Sequence, residues 1–71
     1  EVIEFIVNDK AKCIGIPLKE MRLRPDTLIA AIIRGNKSIV PDGSTTICSG
    51  DHAIIAARSG NIETIDDILK S

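Results

Sequence analysis

Two runs of this chain, residues 28–33 and 53–57, are apolar at every position rather than at alternate ones. Successive side chains of a strand point to opposite faces, so such a run makes both sides of its sheet apolar. With 71 residues in all, the chain has little left over to cover two faces, and a domain this small retains only about 3–5 kcal/mol of net stability. Leaving even ~400 Å² of apolar surface wet forgoes roughly 10 kcal/mol of potential burial. The runs therefore predict one small domain, residues 1–71, that pairs with something.

Three turn signals divide the chain: Arg34-Gly35-Asn36-Lys37, Pro41-Asp42-Gly43-Ser44 and Ser49-Gly50-Asp51. Between them the spacing predicts strands over residues 2–7, 27–34, 37–40 and 52–58, with a short extended piece at 45–48. In the first, Ile3, Phe5 and Val7 share a face. In the second, alternation places Leu28, Ala30 and Ile32 on one face and Ile29, Ala31 and Ile33 on the other. Gly35-Asn36 fits a type II′ hairpin turn, with Gly supplying the positive φ. Pro41 lacks a ladder donor and ends its strand or lies at a sheet edge.

Two helices are expected. Pro17 suits a first helical position, with Leu18, Met21 and Leu23 facing the core and Pro25 ending the segment. The second opens at a cap on Gly60 or Asn61, with Glu63 favouring its start and Ile62, Ile65, Ile68 and Leu69 as its apolar stripe; Asp66, Asp67 and Lys70 face water. The expected class is α+β: a small, mostly antiparallel sheet with a short helix after the first strand and a C-terminal helix. Two short helices roof one face and leave the other to a partner. In the alternative arrangement the helices straddle the sheet and close the core alone.

Composition narrows the function. Phe5 is the only aromatic and the net charge is −1, so neither the basic stripe nor the stacking aromatics of a nucleic-acid binder are present. No apolar run approaches the ~20 residues that span a bilayer, and no signal-peptide pattern appears, so a soluble chain without direct membrane insertion is expected. Cys13 and Cys48 read as free thiols of a reducing compartment, although two cysteines also allow one bridge. The chain opens at Glu1, and a fragment of a longer protein is expected.

Little in the chain points to catalysis. His52 follows Asp51 directly, but neighbours on a strand point apart, and triads assemble from separate segments. Cys13, Cys48 and His52 offer three zinc ligands, but their spacing matches no paired ligand motif. Phosphate-loop fingerprints are absent. Lys19, Glu20, Arg22, Arg24 and Asp26 read as a solvated face. Alternatively Arg22, Arg24 or Arg34 binds a phosphate or carboxylate, since the planar guanidinium donates two parallel hydrogen bonds.

Taken together, Ile14-Gly15-Ile16-Pro17-Leu18 with Met21 and Leu23, Ile29-Ala30-Ala31-Ile32-Ile33-Arg34-Gly35, Pro41-Asp42-Gly43-Ser44-Thr45 and Gly50-Asp51-His52-Ala53-Ile54-Ile55 resemble the TrkA C-terminal domain family. This is the C-terminal subdomain of regulators of potassium conductance (RCK-C). The resemblance covers nearly the whole chain and implies a non-enzymatic, cytoplasmic regulatory domain. Such domains form homodimers and serve a membrane-embedded potassium transporter or channel subunit, peripheral to the inner membrane through that partner. A purely structural dimerisation module is the alternative. The resemblance implies no cofactor in this domain, with NAD(H) or ATP bound by a preceding Rossmann-type domain in many members. Some members bind cyclic di-AMP at the dimer interface. By position Arg24, Ile29 and Pro41 match that site, while Leu28 stands where those members have Asn and Arg22 where they have Asp.

Overall fold

The computed structural model describes residues 1–58 and 61–70. Four strands form one antiparallel sheet in the order β1-β4-β2-β3: β1 (Val2–Ile6), β2 (Thr27–Arg34), β3 (Lys37–Ile39) and β4 (His52–Ala57). The two fully apolar runs are β2 and β4. They lie side by side at the centre of the sheet, where a strand has neighbours on both edges. The hairpin between β2 and β3 forms as its sequence demands: Arg34 faces Lys37, and Gly35 takes φ +60° while Asn36 stays at negative φ. That is the type II′ pattern.

One feature of β2 departs from simple alternation. Ile29 pairs with Ile55 and Ala31 with Ile54, which leaves Ala30 as a bulge. An extra residue resets the alternation of everything after it. Ile29 and Ile32 therefore share the inner face, at 5% and 0% exposure, and Leu28, Ala31 and Ile33 share the outer one. The expected grouping of Leu28 with Ile32, and of Ile29 with Ile33, is corrected accordingly.

Neither expected helix is an α-helix. Among the described residues the helical elements are two single 3₁₀ turns, Leu18–Glu20 and Ile65–Ile68. Pro17 caps the first from outside, with its carbonyl accepting the Glu20 N–H at 2.8 Å. The second follows Thr64. The Asp67 carboxylate reaches back to the N–H groups of Glu63 (2.8 Å) and Thr64 (2.9 Å). Asn61 is not the cap, and Gly60 lies outside the described residues.

The physical reason is competition for backbone partners. Just beyond each turn the chain enters a small antiparallel bridge between Leu23 and Leu69. The Arg24 N–H donates to the Ile68 carbonyl at 2.8 Å and the Lys70 N–H to the Arg22 carbonyl at 2.7 Å. A segment this short repays little for helix nucleation, and the bridge takes the groups a second turn would use. Asp66 and Asp67 are also not simply water-facing. Asp66 accepts the Lys12 N–H through both carboxylate oxygens at 3.1 Å.

The core lies on the inner face alone. Ile29, Ile32, Ala53 and Ile55 from the sheet meet Val7, Cys13, Met21 and Ile47 from the loops and Ile62, Ile65 and Ile68 from the C-terminal segment. Leu18 of the first turn packs on the same cluster, so both turns roof one side and the straddling arrangement does not occur. Residues 45–48 are not a strand of the sheet; Ile47 forms a single parallel bridge to Ile14.

Candidate functional site: an open apolar sheet face

The outer face is built by the same strands. Antiparallel register places its residues in rows across the sheet: Val2, Ala56 and Leu28; Glu4, Ile54 and Ala31; Ile6, His52, Ile33 and Ser38. No segment among the described residues covers these rows. Val2 is 70% exposed, Ile6 69% and Leu28 61%, while Ile55 beneath them is wholly buried. Three strand spacings by about six residues give a flat footprint of roughly 300 Å² before side-chain relief. That is about the size of the largest apolar patch on a typical monomer, which is often a functional surface.

The face carries one polar pair. His52 Nδ1 lies 2.6 Å from Glu4 Oε2, bridging β4 and β1. At the opposite end the face runs into an open hollow of about 540 Å³ lined by Val2, Pro25, Leu28, Ala56 and Arg58. Its rim is tied together by the Arg58 N–H, which donates to the Asp26 carbonyl at 3.0 Å.

The polar residues singled out from the sequence take separate places. Arg34 has a carboxylate, supplied by the chain itself. Its Nε and Nη2 donate to Asp51 Oδ1 and Oδ2 at 2.9 and 2.8 Å, and Nη2 also donates to the Thr46 carbonyl at 2.9 Å. Asp51 is 1% exposed, and its Oδ2 accepts the Cys48 N–H at 2.8 Å. The Arg34 fork, followed by the Cys48 N–H, holds the Asp51 carboxyl below the ordinary carboxylate range despite its burial. The pair pins the 46–51 loop to the end of β2. Gly50, at φ +88°, makes the turn that closes Asp51 N–H onto the Cys48 carbonyl.

Arg24 donates from Nη1 to the Asp67 carbonyl at 3.3 Å and lies 3.8 Å from Asp26. Ile29 is in the core. Pro41 is half-buried just past β3, and because β3 runs antiparallel to β2 it lies toward the β2 start, as Arg24 does. The Asp42–Thr45 turn after it is closed by Asp42, whose Oδ1 accepts the Ser44 hydroxyl (2.7 Å) and N–H (2.8 Å). Those bonds lower the Asp42 carboxyl below its ordinary range.

Cys13 is buried and Cys48 half-buried, both as free thiols. Burial, then the nearby Asp66 charge, pushes the Cys13 thiol up. His52 lies on the opposite face of the sheet from Cys13, so the three-ligand zinc set does not assemble. Among the described residues no group of three metal-ligating side chains forms. Asp51 and His52 point apart, as expected of strand neighbours. Sequence reasoning missed the Glu4–His52 pair because its members are 48 residues apart and only the β1–β4 register brings them together.

No helix among the described residues is long and apolar enough to cross a membrane. The family model of the TrkA-C domain matches residues 2–70. The Trk system potassium uptake protein TrkA homolog of Archaeoglobus fulgidus is 36% identical over 97% of the chain, and the K(+)/H(+) antiporter NhaP2 of Shewanella oneidensis is 31% identical over 97%. The chain spans only 16% and 12% of those two relatives. A solved RCK domain structure with cda (cyclic di-AMP) superposes with a TM-score of 0.73 at 28% identity, covering 97% of each chain. The matched domain is regulatory, not catalytic. With a match over almost its whole length, the chain belongs to the TrkA-C domain family.

Proposed function

We propose that this chain is a cytoplasmic regulatory domain of a potassium or other cation transport system. It pairs with a second copy through its open sheet face and senses a small ligand that shifts the geometry of the pair. The uncovered rows of aliphatic side chains carry the pairing reading, because one face is sealed by the chain's own loops and the other has no cover among the described residues. A two-fold interface must be complementary to itself, and an apolar face with one internally bonded polar pair meets that condition. Potassium uptake and antiporter relatives support the transport context, with the domain joined to a nucleotide-binding domain that holds NAD(H) or ATP. The linked transporter is held at the inner membrane, and regulation follows if the ligand prefers one pair geometry.

The RCK neighbour with cyclic di-AMP makes that nucleotide the first ligand to test. Arg24, Ile29 and Pro41 are the proposed contact residues, near the start of β2. Of the three, Ile29 faces the core rather than the open rows, so its part would be indirect, through the packing beneath the sheet. A second reading, a dimerisation module without a ligand of its own, draws support from the same burial and from the hold of the Asp67 carbonyl and Asp26 on Arg24.

Sedimentation equilibrium tests pairing, with a dimer expected at micromolar concentration; a monomer at high micromolar concentration removes both readings. Titration calorimetry with cyclic di-AMP, other nucleotides and small anions separates sensor from scaffold. Binding that survives unchanged in Arg24→Ala removes the assigned cleft.

A further inference from the structure

Within the strands, the open face holds two titratable side chains, Glu4 of β1 and His52 of β4, and they bond to each other. The other outward positions of β1, β2 and β4 are aliphatic. In the row of His52, β2 presents Ile33 and β3 presents Ser38. Lys37 shares the side of Arg34 by register, and Asp51, next to His52 in sequence, is turned inward and held by Arg34. The charge balance of the face is therefore set by one carboxylate and one imidazole, at 53% and 41% side-chain exposure.

We propose that this pair makes the association of two copies proton-linked: closing the face takes up protons at His52, and the dimer weakens as pH rises through the imidazole range. The proposal rests on the second-copy reading above. A second copy laid over the rows strips water from the pair. With His52 neutral, Glu4 enters the interface as a carboxylate without a countercharge, which is costly. With His52 cationic, the carboxylate is matched by a short charge-assisted bond. The closed state thus selects the protonated imidazole, and association is strongest in mild acid. A two-fold pair contains two such sites, so linkage allows up to two protons per dimer.

The experiment is sedimentation equilibrium of the 71-residue chain between about pH 6 and about pH 8, spanning ordinary imidazole titration, with circular dichroism to confirm folding throughout. His52→Gln and Glu4→Gln are run alongside. The dimer Kd of the unaltered chain is expected to rise at least about tenfold across that range. His52→Gln is expected to dimerise weakly with a flat profile, and Glu4→Gln, in which a cationic imidazole is the unmatched charge, with a reversed one, tighter at the upper end of the range. A flat profile in the unaltered chain, or a slope kept in His52→Gln, overturns the linkage while leaving pairing intact. A monomer at every pH overturns pairing, and the linkage with it.

Discussion

The two faces of this sheet are made of nearly the same residues and have opposite fates. Inward, β2 and β4 present Ile29, Ile32, Ala53 and Ile55, all buried. Outward, the same strands present Leu28, Ala31, Ile33, Ile54 and Ala56, all at least partly open to solvent. Side-chain chemistry does not distinguish them; cover does. Loops and 3₁₀ turns reach one side only, because the Leu23–Leu69 bridge and the Ile14–Ile47 bridge tie the connecting segments beneath the sheet. Hydrophobicity alone therefore does not identify a core, and an aliphatic face that its own chain leaves bare is a candidate interface.

The largest expected effect lies on the covered side. Ile55→Ala removes a wholly buried side chain from the centre of the cluster and should cost about 2–5 kcal/mol. In a domain with little stability to spare, that leaves much of the population unfolded at room temperature. Urea denaturation followed by circular dichroism measures it. A loss below about 1 kcal/mol would mean that the inner face is no better packed than the outer, and the contrast would collapse.

Next in size is the clasp at the end of β2. Asp51→Ala removes the acceptor for the Cys48 N–H and the partner of Arg34. Arg34 is 42% exposed at its side chain and rehydrates, so the expected loss is about 1–3 kcal/mol, from the half-buried backbone donor. The sign with pH is fixed by the lowered Asp51 carboxyl. Its stabilisation is present above the ordinary carboxylate value of about 3.9 and is lost as pH falls through the depressed folded value. An acid titration of Asp51→Asn should therefore show a shallower loss of stability than the unaltered chain. An equal slope would mean that the clasp does not contribute.

Gly35→Ala comes third, at about 1 kcal/mol. Nothing lies within 4 Å of a Cβ there, so the cost is the positive φ alone. It bears on the comparison because Gly35 fixes the β2–β3 register that sets Ile33 beside Ser38 on one face and Ile32 beside Ile39 on the other. Hydrogen exchange of the β3 amides should accelerate while β1 and β4 keep their protection. Equal acceleration across all four strands would show that the hairpin is not a separable unit.

Much of this was legible in the residues because the signals were local. Gly35-Asn36, Asp42-Gly43 and Gly50-Asp51 each close on neighbours a few positions away, and the four sheet strands fall within a residue of where the apolar runs place them. The errors came from distant contacts. The Ala30 bulge is invisible in a run where every residue is apolar, since either alternation fits; the register against β4 decides it. The helical stripe of Ile62, Ile65, Ile68 and Leu69 is genuine as burial but not as α-helix, because the backbone partner of Ile68 is Arg24. The same limit applies to the open face: Glu4 and His52 carry no spacing that announces a pair.

The smallest expected effect is the most discriminating. Ile33→Ser changes an outward residue of β2 that is 36% exposed, beside Ser38 and His52. In dilute solution, where copies are apart, the folded chain loses little burial, and surface substitutions of this kind usually fall within about 0.5 kcal/mol. Serine's weaker strand preference adds to the loss but stays within the roughly 1 kcal/mol span of that scale. At high concentration the outcome should separate from that of the core variant. Ile55→Ala keeps the outer face, so its lowered stability would still rise with concentration, whereas Ile33→Ser would stay folded and gain little, through a weakened dimer Kd. Urea midpoints measured at low and high protein concentration read both quantities from one variant. If the unaltered chain gains stability with concentration and Ile33→Ser does not, the outward isoleucine belongs to an interface. If both rise alike, this part of the sheet lies outside the contact and the second copy sits nearer the Val2–Leu28 end.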